Sequence, residues 1–165
     1  MNHSQNTSIT AKNDQTLYRL LLAQAPILLV SGFVGAQMTS FAIMAAIAVL
    51  LITQISYSLL KATPMFASVA AVIMMTVSAL LIQTQMGMIE MHFHIFSTMA
   101  IFLIYQRWEP IVAALLTVAI HHVLFTYMQL QSVEINQVAI MLFAGKCSWD
   151  ITFVHALLRP PKRGF

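Results

Sequence analysis

Residues 65–83, MFASVAAVIMMTVSALLIQ, form a run of apolar and small polar side chains without a single charge. Crossing the hydrocarbon core of a bilayer takes about 20 such residues in an α-helix. A β-strand is disfavoured, because an open sheet edge cannot lie in lipid and the chain has no recurring alternating segments. This stretch therefore predicts a transmembrane helix.

Segments of similar length and composition lie on both sides of it. They are residues 17–36, 41–60, 88–106 and 110–129. The chain of 165 residues is 59% hydrophobic and 8% charged, whereas a soluble domain carries about 25% charged residues. We therefore expect an all-α polytopic membrane helical bundle with five full spans in a lipid bilayer. No basic stripe with interleaved aromatic residues is present, so nucleic acid is not an expected partner.

The last part of the chain allows two arrangements. Residues 138–145 are apolar but short, and residues 149–158 are apolar again. A single helix through both would bury Lys146 and Asp150, at about 2.5–3.5 kcal/mol each. We prefer an external loop followed by a shortened sixth helix that begins near Trp149, since this leaves both charges in the interface.

Basic residues give the orientation through the positive-inside rule. With the N-terminus in the cytoplasm, seven of the eight basic residues fall on the cytoplasmic side: Lys12, Arg19, Lys61, Arg107, Arg159, Lys162 and Arg163. Only Lys146 falls outside. The polar residues 1–16 are then expected to form a disordered cytoplasmic tail, and residues 159–165 a basic cytoplasmic tail.

Polar side chains with ligating atoms fall at one depth in this topology. They are Glu90, His92, His94, His121, His122 and His155, from the fourth, fifth and last helices, all in the outer half of the membrane. A buried imidazole without a partner is costly, so each must form a hydrogen bond or bind a ligand. A layer of five histidines favours a ligand site over five separate structural roles.

The helical period predicts that the side chains of this layer point in different directions. At 100° per residue His92 and His94 point about 160° apart, whereas Glu90 and His94 share a face. The layer can therefore be two neighbouring sites, or one site with supporting residues; Glu90 could accept a hydrogen bond from a ligating imidazole. Nitrogen and carboxylate ligands suit a transition metal ion such as copper or zinc. Haem b held by axial imidazoles is the competing cofactor.

Several short motifs resemble one known group of proteins. The stretches GMIEMHFHIF, LIYQRWEP and AIHHVLF and a final W…HA are similar to the N-terminal multi-spanning membrane input domain of bacterial methyl-accepting chemotaxis proteins, GGDEF diguanylate cyclases and related histidine kinases. The matching residues are Glu90, His92, His94, Tyr105, Trp108, Pro110, His121, His122, Trp149, His155 and Ala156. The resemblance implies a sensor domain over residues 17–158 in the bacterial inner membrane, with the histidines as its ligand site.

The sequence departs from that pattern in two places. The input domains often have a histidine in the first helix two residues before a proline, where this chain has Gln24 before Pro26. Their last helix also continues into a cytoplasmic output domain, which we expect this chain to lack. The resemblance implies a signalling homodimer rather than an enzyme, and the alternative function is a haem-dependent electron-transfer or redox protein.

Overall fold

A computed structural model describes residues 3–34, 38–85 and 88–130, and all regular structure in these ranges is helical. The predicted sixth helix, His155 and the basic tail 159–165 lie outside the described residues. The elements are α1 (His3–Val34), α2 (Thr39–Leu60), α3 (Pro64–Thr84), a 3-10 turn (Ile89–His92), α4 (Phe93–Ile101), a second 3-10 turn (Phe102–Tyr105) and α5 (Glu109–Leu130).

Four helices are long and apolar enough to cross a membrane, as expected for a membrane-embedded protein. They are Thr10–Val34 within α1, all of α2 and α3, and Glu109–Tyr127 within α5. The predicted fourth span is instead a shorter apolar segment, Ile89–Tyr105, made of α4 and its two 3-10 turns. It ends where Gln106 adopts a left-handed conformation with φ 49°. The prediction of five full spans is therefore not confirmed.

Helix α1 begins much earlier than the sequence suggested. Residues 3–16, for which we expected a disordered tail, belong to this helix. The buried face formed by Leu17, Leu21 and Leu28 also includes Asp14, which is 1% exposed. These positions recur every three or four residues and so lie on one side of the helix. The buried face thus extends α1 into the polar part of the sequence.

Helix α3 is the centre of the bundle. It packs against α1, α2 and α5 and also contacts α4 with both 3-10 turns. Its most apolar window is 61% buried, against 17% for α2 and 11% for α5. Pro64 lies in its first turn, after Thr63 in an extended conformation, where the missing amide proton costs no helical hydrogen bond. The outer helices therefore leave wide apolar faces open to lipid.

Small residues bring α1 and α2 close together. Gly32 is buried against Ala42, and a β-carbon at position 32 would overlap the β-carbon of Ala42. Ala45 and Ala46 continue the buried face of α2. Close backbone approach at small residues is typical of helix pairs in membranes, where packing drives association.

We use two names for the ends of this bundle. The histidine end contains the end of α1 at Val34, the end of α3 at Thr84, and the 3-10 turn with His92. The opposite end, the Asp14 end, contains Asp14, the turn between α2 and α3, and the residues between Tyr105 and α5.

Candidate functional site

Three histidine rings meet between the first 3-10 turn and α5. The ring centre of His92 lies 6.2 Å from that of His122, which in turn lies 5.6 Å from that of His121. His121 also packs on the Phe125 ring, with 4.2 Å between ring centres. His92 and His121 are partly buried and His122 is exposed. We call His92, His121 and His122 the histidine cluster.

Backbone carbonyls orient two of these rings. His122 Nδ1 lies 2.9 Å from the Val118 carbonyl oxygen, and His92 Nδ1 lies 3.4 Å from that of Met88. A proton on each Nδ1 donates to its carbonyl and leaves Nε2 with a free lone pair. Ligating histidines commonly have such a partner on their other nitrogen. Both side chains are therefore prepared to bind a ligand through Nε2.

The ring spacing matches a pair of ligands on one ion. With a metal–nitrogen distance of about 2.0–2.1 Å and roughly 1 Å from nitrogen to ring centre, two imidazoles lie about 5 Å apart at a tetrahedral ion and about 6 Å apart on opposite sides of one. The ring centres of His92 and His122 are 6.2 Å apart, close to these distances, so these two imidazoles would be the ones to hold a metal ion or haem. Within the described ranges no three His, Cys, Asp or Glu side chains are grouped to hold a metal ion.

His94 faces a different set of neighbours. Its Nδ1 lies 2.8 Å from Ser78 Oγ on α3, and its Nε2 lies 3.0 Å from Gln24 Oε1 on α1. Because Gln24 Oε1 can only accept, Nε2 donates to it and Nδ1 accepts from the Ser78 hydroxyl, whose Oγ also lies 3.1 Å from the Met74 carbonyl oxygen. The imidazole therefore links α1, α3 and α4 through both of its nitrogens.

The predicted site residues thus separate into two groups. His92, His121 and His122 come together, whereas His94 is directed away from them to Gln24 and Ser78. Glu90 is exposed in the first 3-10 turn. His155 lies outside the described residues. The 160° angle expected between His92 and His94 agrees with their different neighbours.

A second polar group lies at the Asp14 end. Tyr105 donates from its hydroxyl to Asp14 Oδ1 over 2.9 Å, and the Ala62 amide donates to Asp14 Oδ2 over 2.9 Å. Ala62 has a positive φ of 61°, which turns its amide toward the carboxylate. Asn13 Nδ2 donates to the Ile104 carbonyl over 3.3 Å. The carboxylate therefore joins α1, the α2–α3 turn and the end of the α4 segment.

Asp14 and Ser78 are not among the site residues that the sequence predicts. Asp14 was assigned to the tail, although it is the only carboxylate before Glu90 and lies three residues before the apolar run. Ser78 looked like an ordinary small residue of a membrane helix. The sequence does point to Gln24, because this residue occupies the position of a histidine in the input domains that the sequence resembles.

No protein-family description, no curated protein and no solved structure matches this chain.

Proposed function

We propose that this protein is a membrane-embedded input domain of a bacterial signalling system, which binds a transition metal ion or haem through its histidines. The observation that carries the proposal is the pairing of His92 and His122. Their rings belong to separate elements, the ring centres lie 6.2 Å apart, and each ring has Nδ1 beside a backbone carbonyl oxygen. Two imidazole rings this close, one from the first 3-10 turn and one from α5, are suited to bind a shared cation.

The distribution of charge supports the proposed orientation in the inner membrane. The four basic residues between positions 3 and 130 are Lys12, Arg19, Lys61 and Arg107. All four lie toward the Asp14 end, near Asp14, the α2–α3 turn or the start of α5. The positive-inside rule supports a cytoplasmic location for that end and for the N-terminus. The histidine cluster then lies in the periplasmic half of the bilayer.

The signalling role is supported by the motif resemblance. In this proposal the protein binds its ligand without transforming it, acts as a homodimer, and influences a cytoplasmic output partner. A ligand can change that output only if it binds two conformations of the domain with different affinity. His92, His121 and His122 are the described ligand candidates; Glu90, His94 and His155 complete the proposed set.

The first experiment is an absorption spectrum of the purified protein together with metal analysis of the same sample. A Soret band that shifts on reduction supports haem, and stoichiometric copper or zinc without that band supports a metal-ion sensor. His92→Ala and His122→Ala should each remove most of the ligand, and His3→Ala serves as the control because His3 lies at the start of α1, far along the chain from the cluster. A protein without ligand that also fails to take up zinc, copper or haem would refute the proposal.

A further inference from the structure

The short segment Ile89–Tyr105 is attached to α1 by hydrogen bonds at both of its ends. Near the histidine end, His94 pairs with Gln24. At the Asp14 end, Tyr105 pairs with Asp14. His94 and Tyr105 are eleven positions apart in the sequence, and Asp14 and Gln24 are ten positions apart. At 1.5 Å per residue the two bonds lie about 15 Å apart on antiparallel helices, so they fix both the position and the tilt of the segment relative to α1.

The first 3-10 turn links the histidine cluster to the first of these bonds. His92 faces His122 on α5, whereas His94, two residues later, faces Gln24 on α1 and Ser78 on α3. A ligand that draws His92 and His122 onto one ion therefore acts on the same backbone that carries His94. Movement of this backbone toward α5 stretches the bonds that His94 forms with α1 and α3.

The rest of the segment can carry such a movement. Ile95, Thr98 and Phe102 are buried and lie along the segment between its two bonds. Both ends are 3-10 turns, a conformation with weaker hydrogen-bond geometry that often marks a hinge. Helix α4 therefore packs against the bundle between two 3-10 turns that can change conformation. In this arrangement the segment can move relative to α1 without unfolding.

The Asp14 end is where a shift would have a consequence. Asp14 holds Tyr105 with one carboxylate oxygen and the Ala62 amide with the other. Displacing Tyr105 leaves a buried carboxylate with only one of these two donors, which is costly. The α2–α3 turn and the first part of α1 would then be released from the end of the segment.

We propose that Ile89–Tyr105 is a transmission element, in which ligand binding at the histidine cluster loosens the contact between Tyr105 and Asp14. This inference rests on the proposed function for its ligand. Linkage requires a reciprocal effect of equal size: because binding loosens the contact, breaking the contact at the Asp14 end must raise ligand affinity at the histidine end. Coupling of this kind typically changes affinity by about 5–150-fold.

The test uses Zn²⁺ as the ligand and Trp108 as the reporter. Trp108 is 70% exposed and lies three residues after Tyr105. The chain has two tryptophans, so Trp149→Phe leaves Trp108 as the only one. Zinc affinity is measured in detergent by competition with a chromogenic chelator, and Trp108 emission is followed in the same titration. We expect a saturable emission change with the midpoint of zinc binding.

Two variants and a matched control test the coupling. Tyr105→Phe and Asp14→Asn should each raise zinc affinity by about fivefold or more and abolish the emission change. Tyr18→Phe is the control, because Tyr18 donates to Gln54 Oε1 over 2.6 Å and so links α1 to α2 outside the segment. Tyr18→Phe should have the same zinc affinity and the same Trp108 emission change as the parent. Zinc binding with unchanged affinity in Tyr105→Phe and Asp14→Asn would overturn the inference while leaving the proposed function intact.

A measurement without ligand separates the two proposals further. Gln24→Leu removes the bond to His94, and hydrogen exchange of residues 10–16 should then speed up. Ser31→Ala is the control, since Ser31 bonds to Thr84 and Gln85 at the histidine end. Faster exchange in Gln24→Leu but not in Ser31→Ala supports the coupling, whether or not zinc binds. Failure of zinc to bind would count against the proposed ligand. Equal exchange in Gln24→Leu and the parent would refute the coupling.

Discussion

Replacing Gly32 by alanine should destabilise the bundle, because α1 and α2 leave no room for a β-carbon there. The new methyl group would overlap the β-carbon of Ala42. That atom is fixed to the α2 backbone, so the helices themselves must move apart. Overpacking costs about 1–3 kcal/mol, whereas glycine to alanine improves helix propensity by about 1 kcal/mol. With so severe an overlap the strain prevails, and we expect a net loss of about 2 kcal/mol.

The second half of this prediction is a rescue. Ala42→Gly removes the opposing β-carbon and alone should cost about 1 kcal/mol in helix propensity. The double variant merely exchanges the two residues across the interface. It should be close to the parent in stability, and the coupling between the two changes should be about 2–3 kcal/mol. If the approach of α1 and α2 were looser, the two single effects would simply add.

Equilibrium unfolding in mixed micelles of a mild detergent and dodecyl sulfate, followed by far-ultraviolet circular dichroism, measures these differences. A Gly32→Ala protein as stable as the parent would show that the space beside Ala42 is open. A double variant that loses the sum of both single effects would show that the strain lies elsewhere.

The same unfolding assay tests two buried polar groups. Asp14→Ala leaves the Tyr105 hydroxyl and the Ala62 amide without their acceptor and should cost about 1–3 kcal/mol; stability equal to the parent would mean that water replaces the carboxylate. Thr53→Val should increase the free energy of unfolding, because Thr53 Oγ1 is buried and finds no hydrogen-bond partner among the described residues. Removing an unpaired hydroxyl should stabilise by about 1 kcal/mol, whereas Thr84→Val, whose hydroxyl bonds to Leu81 and Ser31, should destabilise. A loss in Thr53→Val would contradict this assignment.

The lengths of the apolar runs were sufficient to find the long helices. The second run was predicted over residues 41–60 and forms α2, Thr39–Leu60; the third was predicted over 65–83 and forms α3, Pro64–Thr84. These limits depend on local composition and on Pro64. The start of α1 depends on partners distant in sequence, since Asp14 is held by residues 48 and 91 positions away. No local pattern contains that information.

In the candidate site, too, local sequence predicts some features, whereas others depend on partners distant in sequence. Helical periodicity predicted different directions for His92 and His94, and the two rings do have different neighbours, although His92 lies in a 3-10 turn and not in a regular α-helix. Periodicity could not identify the neighbour of each ring. The partners of His94 lie 16 and 70 residues away on α3 and α1, and Ser78 has nothing in its local sequence to distinguish it from other small residues of membrane helices.

Gln24→His tests whether the contact between α1 and α4 can itself become a ligand site. Gln24 Oε1 lies 3.0 Å from His94 Nε2, and His94 Nδ1 is already paired with Ser78. Without the Gln24 acceptor, Nδ1–H can donate to Ser78 Oγ, as the second nitrogen of a ligating imidazole usually donates to a partner, and a histidine at position 24 would place a second nitrogen ligand near Nε2. After dialysis against Zn²⁺, the variant should retain more zinc per chain than the parent. His94→Ala in the variant should remove the excess, and Gln24→Leu should never acquire it. Zinc content equal to the parent would mean that the two positions cannot share an ion, and that a histidine before Pro26 would serve packing instead of ligation.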